Sequence, residues 1–172
     1  MIAAPVPGEN DFYVAIRAWL LSVLPVAVEV FQSQENQVPE PIGPDFVMMT
    51  MRSRARQATN LETWAPDAID PASLEIVQST RLVMQLDFHG RLGSDFAQLV
   101  ATLWRSDFAC RALLPAGIQP LYAEDAKQIP FVNGEKQYEN RWVMEIAFQA
   151  SPVVLAPQDF AAILSVDLQG IP

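Results

Sequence analysis

The sequence predicts an α+β fold: a mainly antiparallel β-sheet with long strands or a projecting hairpin, packed against two principal helices. Apolar residues recur at helical spacing in residues 10–24 and again in 95–106. Two extended runs, 45–57 and 74–89, alternate their side chains with the period of two that a strand requires. The last third is rich in strand formers and holds Asn133-Gly134, a strong two-residue hairpin signal.

Each element follows from its residues. Residues 1–9 (MIAAPVPGE) carry two prolines and a glycine and read as a flexible N-terminal arm; residues 10–172 form a single domain. Asn10 offers an N-cap, with Asp11 in the first turn where negative charge suits the helix dipole. Phe12, Ile16, Trp19, Leu20 and Val23 follow at helical spacing, and Pro25 ends the helix. Val14, Ala15 and Leu21 leave it little polar face, so it is deeply packed or covered by a partner.

A short strand at Val28–Gln32 precedes a proline-bearing loop, and Asp45–Gln57 is the first long strand. Residues 58–72 read as a polar connection containing Trp64. Leu74–His89 reads as one extended run, which at about 3.3 Å per residue would span about 50 Å, so a bent or projecting pair is expected. Gly90–Gly93 turns the chain, and Ser94 caps a helix, Asp95–Ser106, with Phe96, Leu99, Val100 and Leu103 as its buried stripe. A helical turn at Phe108–Leu114, then strands at Gln119–Ala123, Tyr138–Ala150 and near Phe160–Leu168, complete the chain.

Composition narrows function. The chain has 172 residues, 51% of them hydrophobic, which is enough for one domain with a real core. A net charge of −9 argues against general nucleic-acid binding, which needs a basic footprint. The single cysteine, Cys110, lies in the apolar run FACRALL and is expected to be buried and inert; it permits no internal disulfide. The run after Arg17, AWLLSVLPVAV, imitates a targeting signal. Glu9 and Asp11 precede it, though, and Pro25 breaks it, so a soluble, unprocessed protein without a membrane span is expected.

The chemistry of catalysis is thin. His89 is the only histidine, with Asp87 two residues back on the same strand face. A Ser–His–Asp reading would enlist Ser94, yet no serine sits in a GxSxG elbow. Turn capping or a surface ion pair is the plainer reading of His89, and a small hydrolase using it is the alternative activity. One histidine and one cysteine exclude the common zinc signatures, and no GxGxxG or GxxxxGK[ST] loop is present, so no catalytic residue, metal site or cofactor is assigned.

The candidate contact surface lies in FVMMTMRSRARQATNL. Arg52, Arg54 and Arg56 are spaced two apart, so a regular strand would project all three from one face, together with Met48. Three readings stand beside one another: a salt-bridged solvated hairpin using Arg81 or Glu75, docking onto acidic surface of a neighbouring copy, and contact with DNA phosphates. The acidic remainder of the chain disfavours the third. Met48, Met51 and Trp64 stand near the expected projections, where they would serve as interface anchors.

Taken together, FYVAIRAWLLSVLP, VEVFQSQENQVPEP, DFVMMTMRSRARQATN and QDFAAILSVDLQGI resemble the neck or tail-terminator proteins of tailed bacteriophages, from about Asn10 to Gly170. The likeness lies in the order and type of elements; no short diagnostic motif carries it. It implies a structural virion protein of the neck, assembled in the host cytoplasm into a hexameric ring that caps the tail tube and stops its polymerisation. The implied partners are further copies of the chain, the tail tube protein, the sheath protein in a contractile tail, and a head-completion or stopper protein. Genomic DNA would pass through the ring without sequence-specific binding. Another head–tail connector component is the alternative within the same class.

Overall fold

The computed structural model describes residues 4–34, 41–65, 73–129, 131–132 and 138–157. Along the chain these form α1 (Glu9–Val23), β1 (Glu29–Gln32), β2 (Phe46–Arg56), β3 (Leu61–Ala65), β4 (Ser73–Val77) and β5 (Thr80–His89). There follow α2 (Gly93–Trp104), α3 (Asp107–Leu113), β6 (Gln119–Ala123), β7 (Lys127–Gln128), β8 (Phe131–Val132), β9 (Tyr138–Glu139), β10 (Arg141–Ala150) and β11 (Val153–Pro157). The mainly antiparallel α+β architecture matches the sequence reading.

The main sheet has the order β1-β2-β5-β10-β6, with β7 also on β10; only β1 and β2 run parallel. Burial along β5 shows how the sheet is covered. Leu82, Met84, Leu86 and Phe88 are fully buried, as the period of two predicts. They share one core with the apolar stripes of all three helices, locked by edge-on contacts between Phe12 and Phe148 (5.7 Å) and between Trp19 and Trp104 (5.3 Å). The Trp104 indole N–H, fully buried, donates to the Ala147 carbonyl at 3.1 Å. The helices therefore cover one face of the sheet. The other face carries Phe46, Met48, Thr50, Gln85, Asp87, His89 and Arg141.

The second sheet continues the first. Its order, β3-β4-β11, repeats the order β2-β5-β10, because each central ribbon of the main sheet runs on into one strand of the smaller sheet. All three ribbons break at one level, at residues 57–60, 78–79 and 151–152. Backbone hydrogen bonds tie that level together, from the Gln57 N–H to the Ser79 carbonyl (2.9 Å) and from the Gln78 N–H to the Pro152 carbonyl (3.1 Å). The result is a three-stranded blade projecting from a helix-covered body. The expected projecting pair is thus a trio, and the run 74–89 is two strands divided at Gln78-Ser79.

Other departures from the sequence reading have local causes. Gly8 caps α1 instead of Asn10, because the Asp11 carboxylate accepts the Gly8 N–H at 2.7 Å. Ser94 lies inside α2, which begins at Gly93 after Leu92, and the buried stripe is Phe96, Ala97, Val100 and Trp104, leaving Leu99 exposed. The stretch 58–72 contains β3, and 138–150 is interrupted at Asn140. Asn133-Gly134 and the strand near 160–168 lie outside the described residues. The described strands on either side, β8 and β9, pair with Val132 opposite Tyr138. Cys110 is exposed, because the short α3 buries only Ala109 and Leu113. In the N-terminal arm, Val6 exchanges backbone hydrogen bonds with Val153 at 3.0 and 2.8 Å.

Candidate interface

The arginine strand is not a single stripe. The register against β5 pairs Met51 with Met84 and Ser53 with Val83, so Arg52 is an extra residue in a β-bulge. A bulge advances the strand by one residue and exchanges the faces of everything beyond it. Arg54 consequently opposes buried Leu82, on the helix-covered side, and its guanidinium reaches Glu9 at the start of α1 (3.4 Å). Arg56 follows it, opposite Thr80. Arg52 stays on the open face, where it lines a hollow of about 360 Å³ with Met48, Thr50, Asp87, His89 and Arg141. All three arginines are exposed, but they do not share a face. In place of a salt-bridged hairpin using Arg81 or Glu75 there is the Arg54–Glu9 pair, which at this exposure contributes at most about 1 kcal/mol.

The two methionines separate in the same way. Met48 is half-buried in the open-face hollow, whereas Met51 packs against the body's own core and its N–H donates to the Tyr13 hydroxyl at 2.7 Å. Met51 is therefore not a projecting anchor. Trp64 lies on β3 in the blade and is 47% exposed. Leu61 and Leu155, on the other two-residue phase of the blade, are 64% and 42% exposed. Leu74, Ile76, Val77, Val153 and Val154 are only half-buried. Apolar residues thus occupy both faces of a sheet that no described helix covers.

His89 and Asp87 occupy the open face, as their spacing requires, but in a structural arrangement. Asp87 is 5% exposed; its Oδ1 accepts both Arg141 Nε (2.9 Å) and Nη2 (2.7 Å), and the Gln85 amide donates to both carboxylate oxygens. The His89 ring stacks on Phe46 at 4.3 Å, nearly parallel, and its Nδ1 has no hydrogen-bond partner among the described residues. Burial holds the His89 pKa below the ordinary histidine value; Asp87 opposes that shift, Arg141 adds to it and Glu139 opposes it. His89 is therefore neither a turn cap nor a surface ion pair. Nothing local in the sequence points to Arg141 at this site, since it lies fifty-four residues from Asp87 and only the β5–β10 register joins them.

A general base needs a nucleophile within hydrogen-bond reach. Ser94 sits on α2, on the helix-covered side, and lines a separate hollow with Asp95 and Asp125. The Ser–His–Asp reading has no geometry. No cluster of three acidic, cysteine or histidine side chains among the described residues could hold a metal, and no described helix is long and apolar enough to cross a membrane.

Among the described residues the features are a helix-backed sheet, an apolar blade that no helix covers and arginines divided between two faces, with no assembled catalytic group. The family model described as phage neck terminator protein matches residues 10–171, and the chain belongs to that family. It is thereby a structural phage protein of the neck, associating with other head and tail components. No curated protein matches the chain.

Proposed function

We infer that the chain is the tail terminator subunit, forming a ring, hexameric by family resemblance, that caps the head-proximal end of the tail tube. In that position it stops tube polymerisation and offers its outer surface to the head-completion or stopper protein, with sheath protein as a further neighbour in a contractile tail. The observation that carries this reading is the family match over nearly the whole chain, joined to a blade with apolar residues on both faces that no described helix covers. A three-stranded sheet without a packed face is marginal alone and gains most from burial against a neighbour. Leu61 and Leu155 are the side chains that such a neighbour would cover. The net charge of −9 suits a ring through which duplex DNA passes without adhering.

The test is electron microscopy of polymerised tail tubes with and without the purified chain. Extra density at one end of each tube, and arrest of growth there, is the expected result. Density scattered along the tube wall, or no binding, removes the terminator reading.

A further inference from the structure

The two margins of the main sheet differ in charge, and each carries a β-bulge at the same height. β1 covers β2 only from Phe46 to Met49, and no other described strand pairs the outer side of the Met51–Arg56 half. At the far margin β6 is the last of the described strands. On β2 the extra residue is Arg52, between the Met51–Met84 and Ser53–Val83 pairs. On β6 it is Leu121, between the Tyr122–Ala147 and Pro120–Phe148 pairs. Ala147 opposes Val83 and Phe148 opposes Leu82, so both bulges fall beside Val83 of the shared central strand. Edge bulges re-aim side chains outward and interrupt further pairing.

The surfaces presented there are complementary. Arg52, Arg54 and Arg56 are exposed, and Arg52 and Arg56 form no ion pair among the described residues. Beside Leu121 stand exposed Tyr122, Glu124 and Asp125, the two acids likewise without an ion pair among the described residues. The neighbouring Arg105 is engaged by the Ala123 carbonyl, and Lys127 lies on β7. Apolar Phe108 (55% exposed) and Leu114 (61%) extend this margin, and a groove of about 350 Å³ runs between Leu114, Pro120 and Leu121, with Asp107 and Arg111 also lining it.

We propose that these margins bind each other between copies, the arginine edge of one chain against the Leu121–Asp125 edge of the next. Charge selects a second copy as the occupant: cations concentrated on one edge of an acidic chain find carboxylates on the opposite edge of the same chain. Two different patches on opposite margins make a head-to-tail contact, the kind that repeats from copy to copy as a ring requires. Arginines on β2 and Pro120 on β6 blunt the strand edges, so side chains make the contact and the hydrogen-bond ladder does not continue across it. This rests on the ring reading and names the surfaces that meet.

Mass photometry and sedimentation at low salt test the pairing on the purified chain. The wild type is expected above the 19.1 kDa monomer mass. Arg52→Glu/Arg56→Glu and Glu124→Lys/Asp125→Lys should each sediment as folded monomers with an unchanged thermal melt. An equimolar mixture of the two should regain the assembled mass, because wild-type edges meet at one contact and the new glutamates meet the new lysines at the next. Where a double variant does not melt cooperatively, Arg52→Ala and Asp125→Asn take its place, each lowering the assembled mass alone and their mixture reaching only the two-copy mass. A monomeric wild type, a double variant that keeps the wild-type mass, or folded variants that fail to complement overturns the proposal. Tube capping separates the two readings: edge variants that cap tubes as the wild type does remove the pairing and keep the cap. Assemblies that depend on these edges yet ignore tubes do the reverse.

Discussion

Body and blade are built from the same three ribbons, yet they differ in what covers them. In β5 every second residue from Thr80 to Phe88 is buried under helices, while in β4 all five residues are only half-buried. The blade's sequence is as apolar as the body's. The difference is therefore set by the break at Gln57, Gln78-Ser79 and Ser151-Pro152, beyond which no described helix follows the sheet. A strand apolar on both faces is suited to burial on both, and no described helix covers either side of the blade. Stability belongs to the body; the contacts proposed above belong to the blade and the sheet margins.

That contrast can be broken by mutation. Phe148→Ala removes a ring buried between Phe12 and Trp104 and should cost about 3–5 kcal/mol in urea unfolding. Arg141→Ala strands the buried Asp87 carboxylate and should cost about 3 kcal/mol, with Asp87→Asn recovering part of that loss in the double variant. A smaller effect is expected from pH. Burial disfavours protonated His89 in the folded state, so the unfolded chain binds more protons and stability rises with pH. The contribution is complete above the unfolded value of about 6.5 and is lost as pH falls below it. His89→Gln should flatten that slope in denaturation curves recorded across that range. Glu9→Gln, which removes the partner of Arg54, should change stability by less than about 1 kcal/mol. Leu61→Ser should leave monomer unfolding within about 0.5 kcal/mol of wild type while weakening assembly, the signature of a contact residue.

Local pattern makes much of the body legible. Helical spacing locates α1 and α2 to within a turn, and alternation from Leu82 to Phe88 is enough to mark the buried face of β5. The breaks are not legible: Gln78 and Ser79 carry neither proline nor glycine, and β3 is hidden among prolines and acids in a stretch that reads as a loop. The arginine site fails for a sharper reason. A bulge is a property of two strands in register, and nothing within MRSRAR announces that Arg52 has no partner on β5. The same holds for Asp87 and Arg141, which only the sheet brings together. The uncovered blade is partly visible as strands too long for one compact sheet.

The blade, which no described helix covers, is expected to be covered in the assembly. Amide hydrogen exchange on the free chain and on the chain bound to tail tubes measures this directly. Protection should rise at residues 61–65, 73–77 and 153–157 on assembly, while 82–88 in the body are slow in both states. Equal protection of the blade in both states would contradict the account.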